Sequence, residues 1–359
     1  MLTLGRSRLV SLAGARASSW GVLPGRKVVV ASGPDAHSFL HGTLTLDMET
    51  GFPPPGGTRY SALLSSKGKM LFDLFVSPLG PDSYALDVEA QAVAPLIRVL
   101  SRYKLRSDVT LTPSPAHAVH IALPSDGVML DPDHIDPRSP EMGWRKVEEV
   151  GGGGEGEEDQ LDDVSHAYAA RRLALGLPEG WDDYPPNKAL APEMSLDSIG
   201  KAISLTKGCY IGQELIARTY ARGEIRKRIL PLYLASAPED LPSRHELESM
   251  TPHELQHGID GIDLETTRLE PDTRATLVSA SDQGKDSSRA PRPVGRIGSS
   301  SLSAGLALGL LRLRTTLSSD ESDPTLAVLA TQDAHDGTGH RAIKLYARAF
   351  VPTHLRDQI

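Results

Sequence analysis

A single cysteine in 359 residues, Cys209, most constrains how this chain can fold, because a lone thiol forms no intrachain disulfide. The fold must therefore rest on buried hydrophobic side chains. A chain of this length can bury a substantial core, typically in two or three domains, and needs neither a disulfide nor a structural metal. Such sparse use of cysteine is also typical of a reducing compartment.

The charge balance excludes one broad class of function. Lys and Arg number 38 against 46 Asp and Glu, which gives a net charge of −8 and argues against a general nucleic-acid binder. Any anionic partner must meet a local basic patch. No run of eighteen apolar residues occurs, so the sequence predicts no membrane span.

Strand-like and helical segments are mixed in the first two thirds of the chain, without regular βαβ alternation, which predicts an α+β region over residues 21–229. Residues 60–64 and 70–76 predict a hairpin whose turn is 65–69. Apolar residues recur at helical spacing over 90–103. The acidic, glycine-rich stretch 148–163 has almost nothing to bury, which predicts a flexible insertion.

The last third of the chain has a different pattern. Short apolar segments separated by turn signals predict a small β-barrel domain over 230–359, with a polar insertion at about 237–274. These segments are 229–234, 275–279, 294–297, 307–313, 326–330 and 343–349.

The amino terminus has the composition of a targeting segment. Arginines occur among serine, alanine and leucine, and the first acidic residue is Asp35. This pattern predicts a mitochondrial transit segment over residues 1–20. An ordinary disordered terminus is the alternative.

The residues around Cys209 look placed to expose a thiolate. Gly208 and Gly212 allow tight turns, and Lys207 is expected to lower the pKa of the thiol. A helix is predicted from Gln213 to a stop at Gly223. The thiol would then be a nucleophile or a soft-metal ligand, and the alternative is a buried small hydrophobe.

Positive charge concentrates around the same stretch. Seven cations and two acids lie between residues 201 and 230, a local charge of +5. This cluster, with Arg218 and Arg226, either receives a polyanionic ligand or acidic partner, or forms a solvated face paired with acids elsewhere.

Two short motifs suggest other chemistry. Residues 253–257 match the zinc motif H-E-x-x-H, but a glycine follows at once, and a surface helix is the favoured interpretation. The glycines of 151–156 fit a dinucleotide fingerprint by accident, since no apolar strand precedes them.

The octapeptide Lys-Gly-Cys-Tyr-Ile-Gly-Gln-Glu over residues 207–214, followed by Arg218, resembles the signature of the YgfZ/GcvT-like family. The resemblance extends over most of the chain and includes segments 32–36, 64–69, 103–107 and 223–228. It implies a folate-binding fold related to the glycine-cleavage aminomethyltransferase. It also implies the mitochondrial branch, whose members help A-type scaffold proteins to mature [4Fe–4S] proteins.

Under this resemblance Cys209 is a cluster ligand or redox thiol. A cluster commonly requires four protein ligands, usually thiolates, and this chain supplies one. A [2Fe–2S] or [4Fe–4S] cluster would therefore be transient and shared with a partner. The candidate site residues around Cys209 are Lys207, Gly208, Tyr210, Gly212, Gln213, Glu214, Arg218 and Arg226. Asp73, on the hairpin, is a further candidate for cofactor binding. The resemblance also implies a location in the mitochondrial matrix.

The alternative function is a tetrahydrofolate-dependent one-carbon transferase. Transferases of this fold carry two adjacent carboxylates on the hairpin, where this chain has Phe72 and Asp73. Loss of one carboxylate puts proton transfer at the folate in doubt. Folate binding stays open, because the pocket belongs to the fold, whereas catalysis requires particular groups.

Overall fold

The structure is a computed structural model, and it describes residues 20–50, 52, 57–124, 132–150, 158–264, 266–277, 293–317, 323–333 and 340–358. Residues 1–19 of the predicted transit segment lie outside these residues, and so does the whole glycine fingerprint at 151–156. In the described part of the chain no helix is long and apolar enough to cross a bilayer.

Eight strands and the first helices build the α+β region. The strands are β1 (Trp20–Val22), β2 (Arg26–Ser32), β3 (Arg59–Leu64), β4 (Met70–Gly80), β5 (Ser83–Glu89), β6 (Thr110–Ser114), β7 (His117–Ala122) and β8 (Trp144–Glu149). The helices are α1 (Ala36–Thr43), α2 (Val93–Lys104), α3 (Glu158–Ala174), α4 (Gly180–Asp183) and α5 (Gln213–Arg222).

An antiparallel sheet in the order β3-β4-β5-β2-β6 forms the centre of this region, and β1-β7-β8 form a second, smaller sheet. Helices α1 and α2 cover one face of the larger sheet, where Phe39, Leu40, Leu96 and Leu100 are buried with strand residues. The predicted hairpin is confirmed as β3 and β4. The predicted helix 90–103 is confirmed as α2, after one short 3₁₀ turn.

The rest of the chain forms a barrel. It contains β9 (Lys227–Ala235), β10 (Thr267–Arg268), β11 (Arg274–Leu277), β12 (Pro293–Ser301), β13 (Leu306–Arg312), β14 (Leu326–Asp333) and β15 (His340–Ala349), with α6 (Arg244–Ser249) and α7 (Leu313–Thr316). Six strands close in the order β14-β11-β12-β13-β9-β15, because β15 also pairs with β14. The short β10 pairs with the end of β14, beyond the residues that pair with β11. The apolar side chains of the barrel strands form one hydrophobic core. All six predicted strand segments are present.

The structure narrows the predicted flexible insertion at 148–163. Strand β8 continues to Glu149, and α3 begins at Glu158. Val164, Tyr168 and Leu173 bury one side of α3, and packing of that side supports a helix that extends back into the acidic sequence. Residues 151–157 lie outside the described residues.

Candidate functional site: the Cys209 loop and the buried charge network

The Cys209 loop, residues 204–212, is braced against the turn of the β3-β4 hairpin. Gly212 has φ +79°, and a Cβ placed there would lie 2.6 Å from the Ser65 carbonyl oxygen and 3.0 Å from the Gly68 Cα. Gly68 has φ +71°, and its own Cβ would lie 2.6 Å from the Leu215 Cβ. Two glycines therefore permit a close approach of loop and turn that side chains would block.

Lys207 holds the other side of this loop. Its ammonium group donates hydrogen bonds to the carbonyl oxygens of His41 (2.5 Å), Leu44 (2.6 Å) and Leu46 (2.7 Å), at and beyond the carboxyl end of α1. It also lies 4.7 Å from the centre of the Tyr210 ring. Burial lowers the pKa of Lys207 to about 8. The N–H groups of Lys207 are thus engaged with backbone carbonyl oxygens, which gives this lysine a structural role.

Cys209 itself is exposed, which contradicts the interpretation as a buried hydrophobe. The neighbouring Gly208 is also exposed, and a Cβ there would meet nothing within 4 Å. Tyr210 is buried, its hydroxyl has no hydrogen-bond partner among the described residues, and burial raises its pKa to about 12. The thiol is therefore exposed, whereas Lys207 and Tyr210 on either side of it are buried.

Helix α5 follows directly, as predicted, and carries Glu214 and Arg218 on an exposed face. These two side chains pair with each other at 2.5 Å, so Glu214 does not hydrogen-bond the loop as expected. The side chain of Gln213 likewise has no hydrogen bond to the described part of the loop. Arg226 lies 4.0 Å from Glu224 and is 84% exposed.

The seven predicted cations do not form one basic face. Lys207 is engaged with carbonyls, and Arg228 is buried in a two-pronged pair with Asp197 at 2.8 and 2.9 Å. Arg218 and Arg226 remain exposed, and each has a glutamate beside it, Glu214 and Glu224 respectively. The local excess of positive charge at the surface is therefore smaller than the sequence count.

Asp73 does not join the Cys209 loop. It lies on β4, five residues beyond Gly68, a span of about 16 Å along a strand. Its carboxylate accepts hydrogen bonds from the Tyr184 hydroxyl, the Gly180 amide (3.3 Å) and the Tyr60 hydroxyl (3.4 Å). Burial raises its pKa. The candidate cofactor-binding carboxylate is therefore already engaged with three donors inside the α+β region.

Asp73 borders a buried charge network in the α+β region. Three arginines stack around the Phe75 ring, with guanidinium carbons 5.4 Å (Arg26), 4.8 Å (Arg138) and 3.7 Å (Arg145) from its centre. Their partners are carboxylates and one phenol: Asp87, Asp136, Glu179 and Tyr168. Every member is buried or nearly so, which makes the pairing of charge essential.

Glu179 shows how closely the network is paired. Its Oε2 accepts from Arg138 Nη1 at 2.7 Å and from the Tyr168 hydroxyl at 2.5 Å. That hydroxyl in turn accepts from Arg138 (2.7 Å) and Arg145 (2.8 Å). Although burial opposes it, the surrounding arginines hold the pKa of Glu179 well below its usual range.

This network bears on folate. A pterin ring would need a free carboxylate and open space near Asp73, the position implied by the resemblance. Asp73 is 1% exposed and has three donors, and Glu179 and Asp87 face arginines. Within the network, Arg26 Nη1 is a buried donor without a hydrogen-bond acceptor among the described residues, and it lies 3.6 Å from Asp73 Oδ2. The residues around Asp73 therefore offer no free carboxylate to a pterin ring, and no one-carbon step follows from them.

A Glu179→Gln variant should reveal the depressed pKa. Between pH 7 and the ordinary carboxyl pKa of 4.5, the ionised Glu179 contributes its full stabilisation to the free energy of unfolding of the wild type. Below that value the unfolded chain takes up a proton that folded Glu179 refuses, so the stability gap between wild type and variant should narrow as pH falls. Urea unfolding of both proteins at pH 7 and pH 3 measures this gap. A gap that widens on acidification would contradict the assignment.

The H-E-x-x-H motif is not a metal centre. Residues 253–255 lie in a turn and not in the predicted surface helix, and His257 stacks on Tyr233 with ring centres 3.7 Å apart. The Nε2 of His257 lies 2.9 Å from the Leu234 carbonyl oxygen. Among the described residues no group of three or more His, Cys, Asp or Glu side chains is placed to hold a metal ion.

Most members of the network were missed from the sequence. One signal was available: Asp87 interrupts a buried strand, between Leu86 and Val88, and a charge there requires a partner. The identity of the partners was not available, because Arg26 and Arg145 lie 61 and 58 residues away.

Comparisons with known proteins add two findings. The chain is 36% identical over 236 residues to the iron-sulfur cluster assembly factor IBA57, mitochondrial, of Mus musculus, which covers 59% of this chain and 65% of that relative. It is 30% identical over 363 residues to the IBA57 homolog of Pyricularia oryzae, which covers 93% of this chain and 84% of the relative. The chain thus spans less than two thirds of the mouse protein. No protein-family model matches it.

Among solved structures, the glycine cleavage system aminomethyltransferase T of Bartonella henselae has the same fold. It superposes with a TM-score of 0.56 at 13% identity and covers 92% of this chain and 84% of its own. The predicted α+β folate-binding-like fold with a carboxyl-terminal barrel is therefore confirmed.

Proposed function

We propose a function from the premise that this chain belongs to the IBA57 family of mitochondrial iron–sulfur cluster assembly factors. Its action would be to hold an iron–sulfur cluster together with an A-type scaffold protein of the mitochondrial matrix. The scaffold would then deliver that cluster toward [4Fe–4S] client enzymes.

One observation carries this proposal: Cys209, the only cysteine of the chain, is exposed on a braced loop. One thiolate falls short of the four ligands that a cluster usually takes, so the other ligands must come from a second molecule. The brace matters because ligation requires a sulfur held in a fixed position. Cargo held in this way is easily passed on, since the chain itself contributes a single bond.

The surroundings of Cys209 favour an acidic partner. Arg218 and Arg226 are 64% and 84% exposed on the segment that follows the loop. Exposed cations of this kind steer the approach of a negatively charged surface and add little affinity once it is bound. Fusion of two oxidised [2Fe–2S] units into one [4Fe–4S] cluster consumes two electrons. A separate electron donor must therefore supply these two electrons.

Anaerobic reconstitution tests this function. The chain and an A-type scaffold are mixed with iron and sulfide, and the visible absorbance of the purified complex is measured. A cluster spectrum that requires both proteins is expected with the wild type, and Cys209→Ser should abolish the complex-dependent part. Thr206→Ala, an exposed change in the same loop, serves as the matched control and should leave the spectrum intact. An unchanged spectrum with Cys209→Ser would overturn the proposal.

The one-carbon transferase is not proposed as a second function. The likeness to aminomethyltransferase T shows the fold alone, and Asp73 is engaged in the charge network. Iron–sulfur assembly accounts for the exposed thiol, whereas folate chemistry leaves it without a role.

A further inference from the structure

The carboxyl end of α2 displays a leucine at the surface under backbone strain. Leu105 is 89% exposed, and its backbone angles are φ +46° and ψ −103°. A residue with a positive φ is usually glycine, because a Cβ is strained there. Here the chain keeps a branched apolar side chain at a position where glycine would remove both the strain and the exposure. Residues with strained backbone angles cluster at functional sites.

The loop that carries Leu105 is held firmly. The Asp108 amide donates to the Asp35 carboxylate at 2.8 Å, and the Ser107 amide donates to the Lys104 carbonyl oxygen at 2.8 Å. Gly33 packs so closely below that a Cβ there would lie 2.3 Å from the Asp108 carbonyl oxygen. The exposure of Leu105 is therefore built into the fold.

Cations surround this leucine. We define the α2 tip as Arg98, Arg102, Tyr103, Lys104, Leu105 and Arg106. None of its four cations has a hydrogen bond or an ion pair among the described residues. Tyr103 is 38% exposed beside them. The acids at its base are Asp108 and Asp35, and the Asp35 carboxylate is already bonded. The α2 tip is thus a basic surface with an apolar projection.

A shallow cleft adjoins the tip. It has a volume of about 770 Å³ and is lined by Asp35, Ser38, Tyr103, Lys104, Leu105, Arg106 and Ser107. Its two cations and two hydroxyls suit a phosphate group, because its one acid, Asp35, already accepts a hydrogen bond from the Asp108 amide. The Leu105 side chain beside them is suited to contact with an apolar hydrocarbon chain.

We propose that the α2 tip docks this protein onto an anionic phospholipid membrane. Leu105 enters the boundary between headgroups and acyl chains, and the cations contact lipid phosphates. The arrangement favours lipid over an acidic protein because Lys104 and Arg106 directly flank the leucine. Lysine, unlike arginine, is depleted from protein interfaces. Long cationic side chains can instead reach back to the headgroups while their neighbour lies deeper.

Tyr103 fits the same surface, since tyrosine is enriched where a membrane meets water. Docking of this kind is peripheral and reversible, because one leucine and four cations provide a weak anchor. It does not depend on the proposed iron–sulfur function.

Vesicle co-sedimentation with the full chain tests the proposal. The protein should bind vesicles of phosphatidylcholine with cardiolipin and not vesicles of phosphatidylcholine alone, and salt should weaken the binding. Leu105→Gly should reduce binding about tenfold. Its melting temperature should stay the same or rise, because glycine accepts a positive φ. Arg102→Glu with Arg106→Glu should reduce binding by more than about tenfold.

Matched variants isolate the surface. Leu329→Ala removes another exposed leucine, on β14 of the barrel, and should leave binding unchanged. Cys209→Ser should bind as the wild type does, which separates docking from cluster chemistry. The amino-terminal arginines are common to every variant, so only differences between variants count. Equal binding by Leu105→Gly and wild type would overturn the proposal. Capture of poly-glutamate without any binding to vesicles would overturn it as well.

Discussion

Replacing Asp87 with alanine should destabilise the α+β region by about 3–5 kcal/mol. Its Oδ1 accepts from Arg26 at 2.7 Å, and its Oδ2 accepts from Arg145 at 2.5 and 2.9 Å. Removal leaves two guanidinium groups buried, with their strongest partner gone. Such charges cannot regain water without opening the fold.

The measurement has a natural probe. All three tryptophans, Trp20, Trp144 and Trp181, precede the barrel, so urea unfolding followed by tryptophan fluorescence reports the α+β region. Glu214→Ala is the control, because it breaks an ion pair between side chains that are 86% and 64% exposed. That change should cost no more than about 0.5 kcal/mol. A loss below about 1 kcal/mol for Asp87→Ala would show that the network tolerates an unpaired charge.

The second large effect is expected from Gly212→Ala. The methyl group would meet the Ser65 carbonyl oxygen at 2.6 Å and the Leu64 Cβ at 2.9 Å, in a backbone conformation that alanine adopts poorly. Strain and overpacking together should cost about 2–4 kcal/mol. The loop must also shift, and Cys209 shifts with it. We therefore expect a weaker cluster spectrum in the reconstitution with the scaffold.

Gly208→Ala is the matched control for this variant. It makes the same chemical change four residues earlier in the same loop, where a Cβ meets nothing within 4 Å. Its stability should stay within about 0.5 kcal/mol of the wild type. Its cluster spectrum should stay intact. Equal effects of the two substitutions would show that the hairpin turn does not position the loop.

Together these variants separate two roles that share one hairpin. The turn of β3 and β4 braces the Cys209 loop, through Gly68 and Gly212. The strands carry Tyr60, Asp73 and Phe75 into the charge network. Damage to the network should lower stability without a specific effect on the thiol. Damage at the turn should affect both.

The elements of secondary structure were largely predictable. The hairpin, α2, α5 and six barrel strands all carry a local period of apolar residues or a local turn signal, and each formed close to its predicted place. The acidic start of α3 was not predictable, because the packing of its later residues extends the helix into a stretch with no apolar period.

The site was predictable only in part. An unpaired, exposed thiol between glycines was expected and is present. Lys207 was expected beside that thiol, and Asp73 was a candidate for cofactor binding. Lys207 instead binds carbonyl oxygens up to 166 residues away, and Asp73 accepts from Tyr184, 111 residues away.

What the sequence by itself determined was the order of helices and strands, the closing barrel and a thiol too solitary to hold a cluster alone. Each of these follows from a local pattern or from a count of residues. Only the tertiary structure decided where the lysine points, which carboxylates are already paired and which leucine stands at the surface. Those outcomes depend on groups that are distant in the chain and meet only when the sheets and helices pack.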